Sequence, residues 1–238
     1  MGPEAYPEGH RSARHPTWLE IGMDRVLEPE VMADPRQALA YARADFGEVN
    51  QRFVDELVAR HPMPAHARVV DLGCGPADIP IRLAAALPRS RIVAVDASIP
   101  MLALGLEALR QRPPRVSLIC ARLPHLPFAD RGFDAAISNS LLHHLPDPLP
   151  FWHEVERLAR PGAPLLVMDL ARPASPAAAR ALVELHAAVE DPILREDFYR
   201  SLLAAFTPEE VRRQLATLSL RLECALVSDR HWVVSGRR

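Results

Sequence analysis

Val69-Val70-Asp71-Leu72-Gly73-Cys74-Gly75-Pro76-Ala77-Asp78 joins an apolar run to an acid, and the acid to a turn carrying two glycines. A short apolar run without polar alternation suits a strand buried on both faces, and the periodic segment from Ile79 suits a helix. Glycine lets the backbone come close to a ligand. At the carboxyl end of the first strand of an open α/β sheet, such a turn lies at the topological switch point, where folds of this kind bind nucleotides. Asp96 ends the next apolar run about 20 residues later, the place from which a carboxylate accepts hydrogen bonds from ribose hydroxyls. A nucleoside ligand is the expectation. Asp78 at the helix start would repel a pyrophosphate, so the turn suits a nucleoside with a cationic or zwitterionic tail, for which Asp71 and Asp78 are favourable neighbours.

Working outward, strand and helix signals alternate. Strands are expected at Arg68 to Leu72, Arg91 to Val95, Val116 to Cys120, Phe133 to Ser138 and Leu165 to Asp169. Helices are expected at Ile79 to Leu87, Pro100 to Arg110 and Asp147 to Arg160, the last stopped by Pro161 and Gly162. Upstream, Leu39, Ala42, Phe46, Val49, Phe53, Leu57 and Val58 recur at helical spacing between Pro35 and Ala59. Residues 1 to 17 read as a frayed arm. Downstream, Pro173 to Ala216 reads as helix, with Thr207, Pro208 and Glu210 forming a capping signature. Leu222 to Val227 and His231 to Val234 then make an antiparallel hairpin. The fold class expected is α/β: a doubly wound, seven-stranded, mostly parallel Rossmann-like sheet with an antiparallel C-terminal hairpin and helical lid elements. Residues 1–60 would form an N-terminal helical lid, and 61–238 the ligand-binding domain with a helical insertion at 173–216.

Composition narrows the chemistry. All 28 basic residues are arginine, which excludes a lysine Schiff base and a Walker-type phosphate lysine. A formal charge of −2 gives no global basic field for nucleic acid or an anionic membrane, so a small-molecule partner is expected. Cys74, Cys120 and Cys224 lie far apart with no paired spacing, which points to a reducing compartment, and no apolar run approaches the length of a membrane span. A cytoplasmic location is expected.

Five stretches together carry a resemblance: DLGCG; AVDAS with Met101 beyond it; Leu126-Pro127-Phe128 before Phe133-Asp134; Ser138-Asn139-Ser140-Leu141-Leu142-His143-His144-Leu145; and Arg160-Pro161-Gly162. Over residues 65 to 172 the chain resembles class I S-adenosylmethionine-dependent methyltransferases, in the small-molecule branch that includes the quinone-biosynthesis C-methyltransferases. The resemblance implies S-adenosylmethionine as cofactor. It carries the methionine end over to Gly73, Cys74 and Gly75 and the ribose to Asp96, with Ala121, Arg122 and Leu123 standing at the place for adenine; Asp71, Asp78, Ala97, Met101 and Asn139 complete the cofactor-binding candidates. Relatives usually carry Gly-Asp-Ala where this chain has Ala121-Arg122-Leu123, and a guanidinium cannot accept a hydrogen bond from the adenine amino group. Ser138-Asn139-Ser140-Leu141 also lacks the Asn-Pro-Pro-Tyr type of sequence with which enzymes of this fold hold a flipped base.

His143 and His144 are the candidate catalytic groups, since an imidazole near the transferring methyl accepts a proton from an oxygen, nitrogen or sulfur acceptor. Neighbouring histidines are expected to point apart with no third ligand, so no metal site is assigned. Trp18, Tyr41, Phe46, Phe53, Phe198, Tyr199 and Phe206 would build an apolar lid, with Arg43, Arg195 or Arg200 for an acidic acceptor, or Asp191, Glu196 and Asp197 for a cationic one. The expected function is methyl transfer to a small organic acceptor. Non-methyl chemistry on the same cofactor, a non-catalytic cofactor-binding subunit and a homodimer stay open.

Overall fold

The computed structural model describes residues 23–28, 31–112 and 115–238. Five parallel strands, with helices in every connection except that from β3 to β4, form the body of the sheet: β1 (Arg68–Leu72), β2 (Arg91–Asp96), β3 (Val116–Cys120), β4 (Ala135–Asn139) and β5 (Pro164–Leu170). Two more strands, β6 (Arg221–Leu226) and β7 (His231–Arg237), complete a seven-stranded sheet of order β3-β2-β1-β4-β5-β7-β6. The hairpin forms as expected, with β7 between β5 and β6 and antiparallel to both; β7 is thus the single reversed strand.

Alternation along the central strands divides the core. Val70 and Leu72 face a cluster built on Phe133, Phe151, Trp152 and Trp232, whereas Val69, Ile92 and Ile137 face Phe53, Val54, Leu57, Ile79 and Leu83. The helices on that second face are α2 (Gly47–Arg60) and α3 (Asp78–Ala86). They are preceded by α1 (Pro35–Arg43). One periodic run thus became two helices, because Ala44 is extended and the Asp45 carboxylate accepts from the Gly47 N–H at 3.0 Å, closing a local turn.

The helix α4 (Ile99–Leu109) joins β2 to β3, and α5 (Leu149–Leu158) joins β4 to β5. The β4 strand begins at Ala135, with Phe133 making only an isolated bridge to Ala159. The helical stretch expected after β5, with one helix start marked at Thr207, is three helices: α6 (Pro176–Ala187), α7 (Pro192–Ala204) and α8 (Pro208–Leu215). Each starts at the same signal, a side chain that caps the helix followed by proline: Ser175-Pro176, Asp191-Pro192 and Thr207-Pro208. The Thr207–Glu210 capping box forms as read. The α6 and α7 helices enclose a satellite cluster of Leu170, Val183 and Leu202. Residues 1–17 and Trp18 lie outside the described residues. Among those described, no helix is long and apolar enough to cross a membrane.

Candidate functional site

The order of the sheet turns between β1 and β4, and there the turn after β1 is drawn tight. Gly73 and Gly75 have φ of +77° and +51°, in the left-handed region that costs a residue with a Cβ. The Gly73 and Cys74 N–H groups both donate to the Val95 carbonyl, at 2.8 and 3.0 Å, which ties the turn to β2. A Cβ on Gly73 would meet Leu141 at 2.8 Å. Ala77, where this turn often has a third glycine, is buried and also left-handed at φ +67°.

Asp96 is held from two directions. One carboxylate oxygen accepts from the Gly75 N–H at 2.8 Å, the other from the Ser98 N–H at 2.8 Å. Burial raises its carboxyl above the ordinary value, against these bonds. Asp71 is different: it is 1% exposed, and neither oxygen has a hydrogen-bond partner among the described residues. Burial first, and the charge of Asp96 second, push Asp71 up to about 8. It is therefore mainly a neutral acid at pH 7 until something cationic comes beside it.

A cavity of about 640 Å³ opens over this turn. Asp71, Gly73, Cys74, Gly75 and Asp78 line it on one side. Asp96, Ala97, Met101, Ala121, Arg122 and Leu123 line the next, and Asn139 a third, so all twelve cofactor candidates border one space. Arg122 is exposed at its rim. Asp78 is not a bare charge: its Oδ2 accepts from Arg82 Nε at 2.8 Å and from Asn50 Nδ2 at 2.9 Å. Asn50 in turn accepts from Asn139 at 3.3 Å. Sequence reasoning missed Asn50; the signal was a polar residue in the apolar stripe of α2, where it is 8% exposed. Met32, Tyr41 and Phe46 close the cavity from the N-terminal side, with the two aromatic rings 4.8 Å apart. The Tyr41 phenol is pushed up to about 12 by burial and then by Asp96.

Among the described residues, the rest of the expected aromatic set does not gather over the cavity. Phe53 belongs to the core, Phe198 and Tyr199 pack with the α6–α7 cluster, Phe206 lies under the Arg25 guanidinium, and nothing from 173–216 lines the cavity. Of the arginines considered for an acidic acceptor, Arg43 borders the cavity, whereas Arg195 and Arg200 pair with Glu184 and Glu196. The acids considered for a cation are likewise engaged: Asp191 caps α7, Glu196 holds Arg200, and Asp197 accepts from Gln37 at 2.9 Å.

The two histidines sit on a 3₁₀ turn, Leu142–His144, just beyond β4. His144 borders the cavity; His143 does not, being 3% exposed behind it. His143 Nδ1 lies 2.5 Å from Asp169 Oδ1 on β5, while Asp169 Oδ2 accepts from the Leu142 and His143 N–H groups at 2.6 and 3.2 Å. Burial works to lower the His143 imidazole, but the Asp169 carboxylate prevails and raises it; burial works to raise Asp169, and His143 holds it low. The expectation that the rings diverge without a third group fails. Their centroids are 4.2 Å apart, and Glu28 Oε1 lies 3.5 Å from His143 Nε2 and 3.2 Å from His144 Nδ1. Spacing within one motif carries no sign of Glu28, which arrives from more than a hundred residues upstream.

Residues 69–162 match the family described as a methyltransferase domain. Among curated relatives, a demethylmenaquinone methyltransferase of Roseiflexus sp. (strain RS-1) is 34% identical over 119 residues, 50% of this chain and 49% of that protein. A trans-aconitate 2-methyltransferase of Azoarcus sp. (strain BH72) is 34% identical over 122 residues, 51% of this chain and 46% of that one. The chain thus spans about half the length of these curated relatives. In fold it is similar to a SAM-dependent methyltransferase from Aquifex aeolicus, with TM-score 0.64 and 17% identity, covering 85% of this chain and 97% of the other. The plantazolicin methyltransferase BpumL, crystallised with a pentazolic desmethylPZN analog and SAH, gives TM-score 0.64 at 10% identity, covering 85% and 90%.

Proposed function

From a chain whose residues 69–162 match a methyltransferase-domain family, we propose an enzyme that moves the methyl group of S-adenosylmethionine to a small organic acceptor. The observation that carries this reading is the Asp71 carboxyl, buried without a partner at the wall of a 640 Å³ cavity that also holds the glycine turn and a doubly anchored Asp96. A buried polar group lacking a partner costs about 1–3 kcal/mol, and a ligand with a cationic end removes that cost. The residues present therefore fit the cofactor.

When bound, S-adenosylmethionine supplies a methyl group made electrophilic by its sulfonium. The chain's own part is to bind, orient and keep water out. Gly73, Cys74 and Gly75 would let main chain approach the methionine end, whose positive charge Asp71 would meet, while Asp78 is held back by Arg82 and Asn50. Asp96, with both oxygens already oriented by N–H donors, keeps lone pairs for the ribose hydroxyls. Ala97, Met101, Ala121 and Leu123 offer an apolar slot for adenine, with Arg122 at its rim and Asn139 holding Asn50. We assign residues up to 60 to a lid, on the ground that Met32, Tyr41, Phe46 and Asn50 cover the cavity, and we place the acceptor on the side where His144, backed by His143, meets Leu145. Orientation supplies roughly 7–11 kcal/mol in such reactions, so a strong base is not required.

Titration calorimetry with S-adenosylhomocysteine tests the cofactor half: one site per chain is expected. Acceptor-dependent formation of S-adenosylhomocysteine from S-adenosylmethionine tests the transfer, and binding without any turnover would point instead to a non-catalytic subunit.

A further inference from the structure

We propose that Glu28, His143 and His144 form a binding site for one divalent transition-metal cation of the Zn²⁺ class, set in the wall of the same cavity. Two imidazoles and a carboxylate are the donor set of catalytic zinc sites that keep a fourth position open, and are too rich in nitrogen for Ca²⁺ or Mg²⁺. Bonds of about 2.0–2.2 Å at tetrahedral angles place donor atoms about 3.3–3.6 Å apart. Glu28 Oε1 lies 3.5 Å from His143 Nε2 and 3.2 Å from His144 Nδ1, and the three donor atoms all fall within 4.8 Å of one another.

The surroundings are those of a built site. His143 Nδ1 bonds Asp169, the carboxylate–histidine pairing that fixes which nitrogen faces a metal, and Glu28 Oε1 accepts from Ser201 Oγ at 3.0 Å. The side chains of Glu28, His143 and His144 are 9%, 4% and 18% exposed, so water does not screen the cluster. Glu28 and Asp169 bring two carboxylates. The Arg25 guanidinium, beside His143, is committed to main chain, donating to the His143 and Leu145 carbonyls at 2.7 and 2.8 Å and to Ala204 at 2.5 Å, with its centre 3.9 Å over the Phe206 ring. Because His144 and Leu145 border the cavity, the open position falls on that side.

The cation site stands independently of the methyl-transfer reading; only the acceptor class rests on it. On that reading, the fourth position takes a hydroxyl, enol or carboxylate oxygen of the acceptor. A bound divalent ion makes such an oxygen more acidic, and the imidazoles then serve as ligands rather than as bases.

The test uses the full chain stripped with a chelator, titrated with Co²⁺ and followed by visible absorption, with Zn²⁺ content measured after dialysis. One equivalent per chain and the intense bands of four-coordinate Co²⁺ are expected. Glu28→Gln and His144→Ala should each lose at least about 100-fold in metal affinity, and Asp169→Asn about 10- to 100-fold. Glu28→Gln, which touches none of the cofactor residues, should keep its affinity for S-adenosylhomocysteine, so loss of metal and loss of cofactor are read separately. Retention below about one tenth of an equivalent by the unmutated protein, a six-coordinate Co²⁺ spectrum, or unchanged affinity in both Glu28→Gln and His144→Ala would each overturn the site. The spectrum of the unmutated protein decides the matter even if a variant fails to fold.

Discussion

Asp71 carries a proton at neutral pH because burial and the Asp96 charge raise it to about 8, and a cationic ligand end beside it would drive that proton off. Binding below pH 8 should therefore release a proton, and cofactor affinity should rise with pH by up to about tenfold per unit between about pH 6 and 8, flattening above. Calorimetry in buffers of different ionisation enthalpy reads the proton directly; pH-independent affinity would sink the assignment, and Asp71→Asn should abolish the dependence. The same raised value has a sign for stability. The folded form holds the proton more tightly than the unfolded chain, so without ligand the stability from this group is full below about pH 4 and is lost as pH rises through about 8. Asp96→Ala removes charge-assisted hydrogen bonds worth about 1.5–3 kcal/mol each, so cofactor affinity should fall at least about tenfold. It also frees the Gly75 and Ser98 N–H groups that the carboxylate holds. Unchanged affinity by calorimetry would take Asp96 out of the site. Both acids were legible as candidates in the sequence because each lies at the carboxyl end of an apolar strand. Asn50, Asp169 and Glu28 were not, since their partners come from distant segments and no local pattern records such a meeting.

Among elements, the turn after β1 is where conformation and packing act together. Gly73→Ala faces a left-handed φ and a 2.8 Å approach to Leu141, whereas Gly162, at φ +80°, has nothing within 4 Å of an added Cβ. Gly162→Ala should cost only the backbone penalty, about 1–2 kcal/mol. Gly73→Ala should cost more than that in urea unfolding and also weaken cofactor binding; equal losses would mean that Leu141 gives way and the turn is not tightly packed. Strands of the parallel sheet were readable as apolar runs, and the hairpin from the short Ser228-Asp229-Arg230 stretch read between its two apolar runs; in the structure four residues, 227–230, separate the strands. Helix breaks were harder, since apolar periodicity passes through them. Three cap-proline pairs did mark the helices after β5, but two were lost within the periodicity of their neighbours.

At the scale of the molecule, the sheet reverses direction of winding between β1 and β4, and this sets two functions side by side. The turn after β1 and the end of β2 face the proposed cofactor, and the turn after β4 faces the proposed acceptor, within one cavity. The topology was readable from alternation of strand and helix. Residues of α1 and α2 border the cavity, while the 173–216 segment packs against residues 23–28, where Val26 N–H donates to the Leu203 carbonyl at 3.0 Å. The acceptor side is thus built from pieces that meet only in three dimensions, and the curated relatives extend over about twice the length they share with this chain. The most direct measurement follows the methyl group itself. Purified protein is incubated with methyl-labelled S-adenosylmethionine and a low-molecular-weight cell extract, and the label is traced by mass spectrometry. The account predicts label on a small molecule with one S-adenosylhomocysteine formed for each methyl moved, and none with Asp96→Ala; a protein that binds S-adenosylhomocysteine yet leaves every small molecule unlabelled would contradict it.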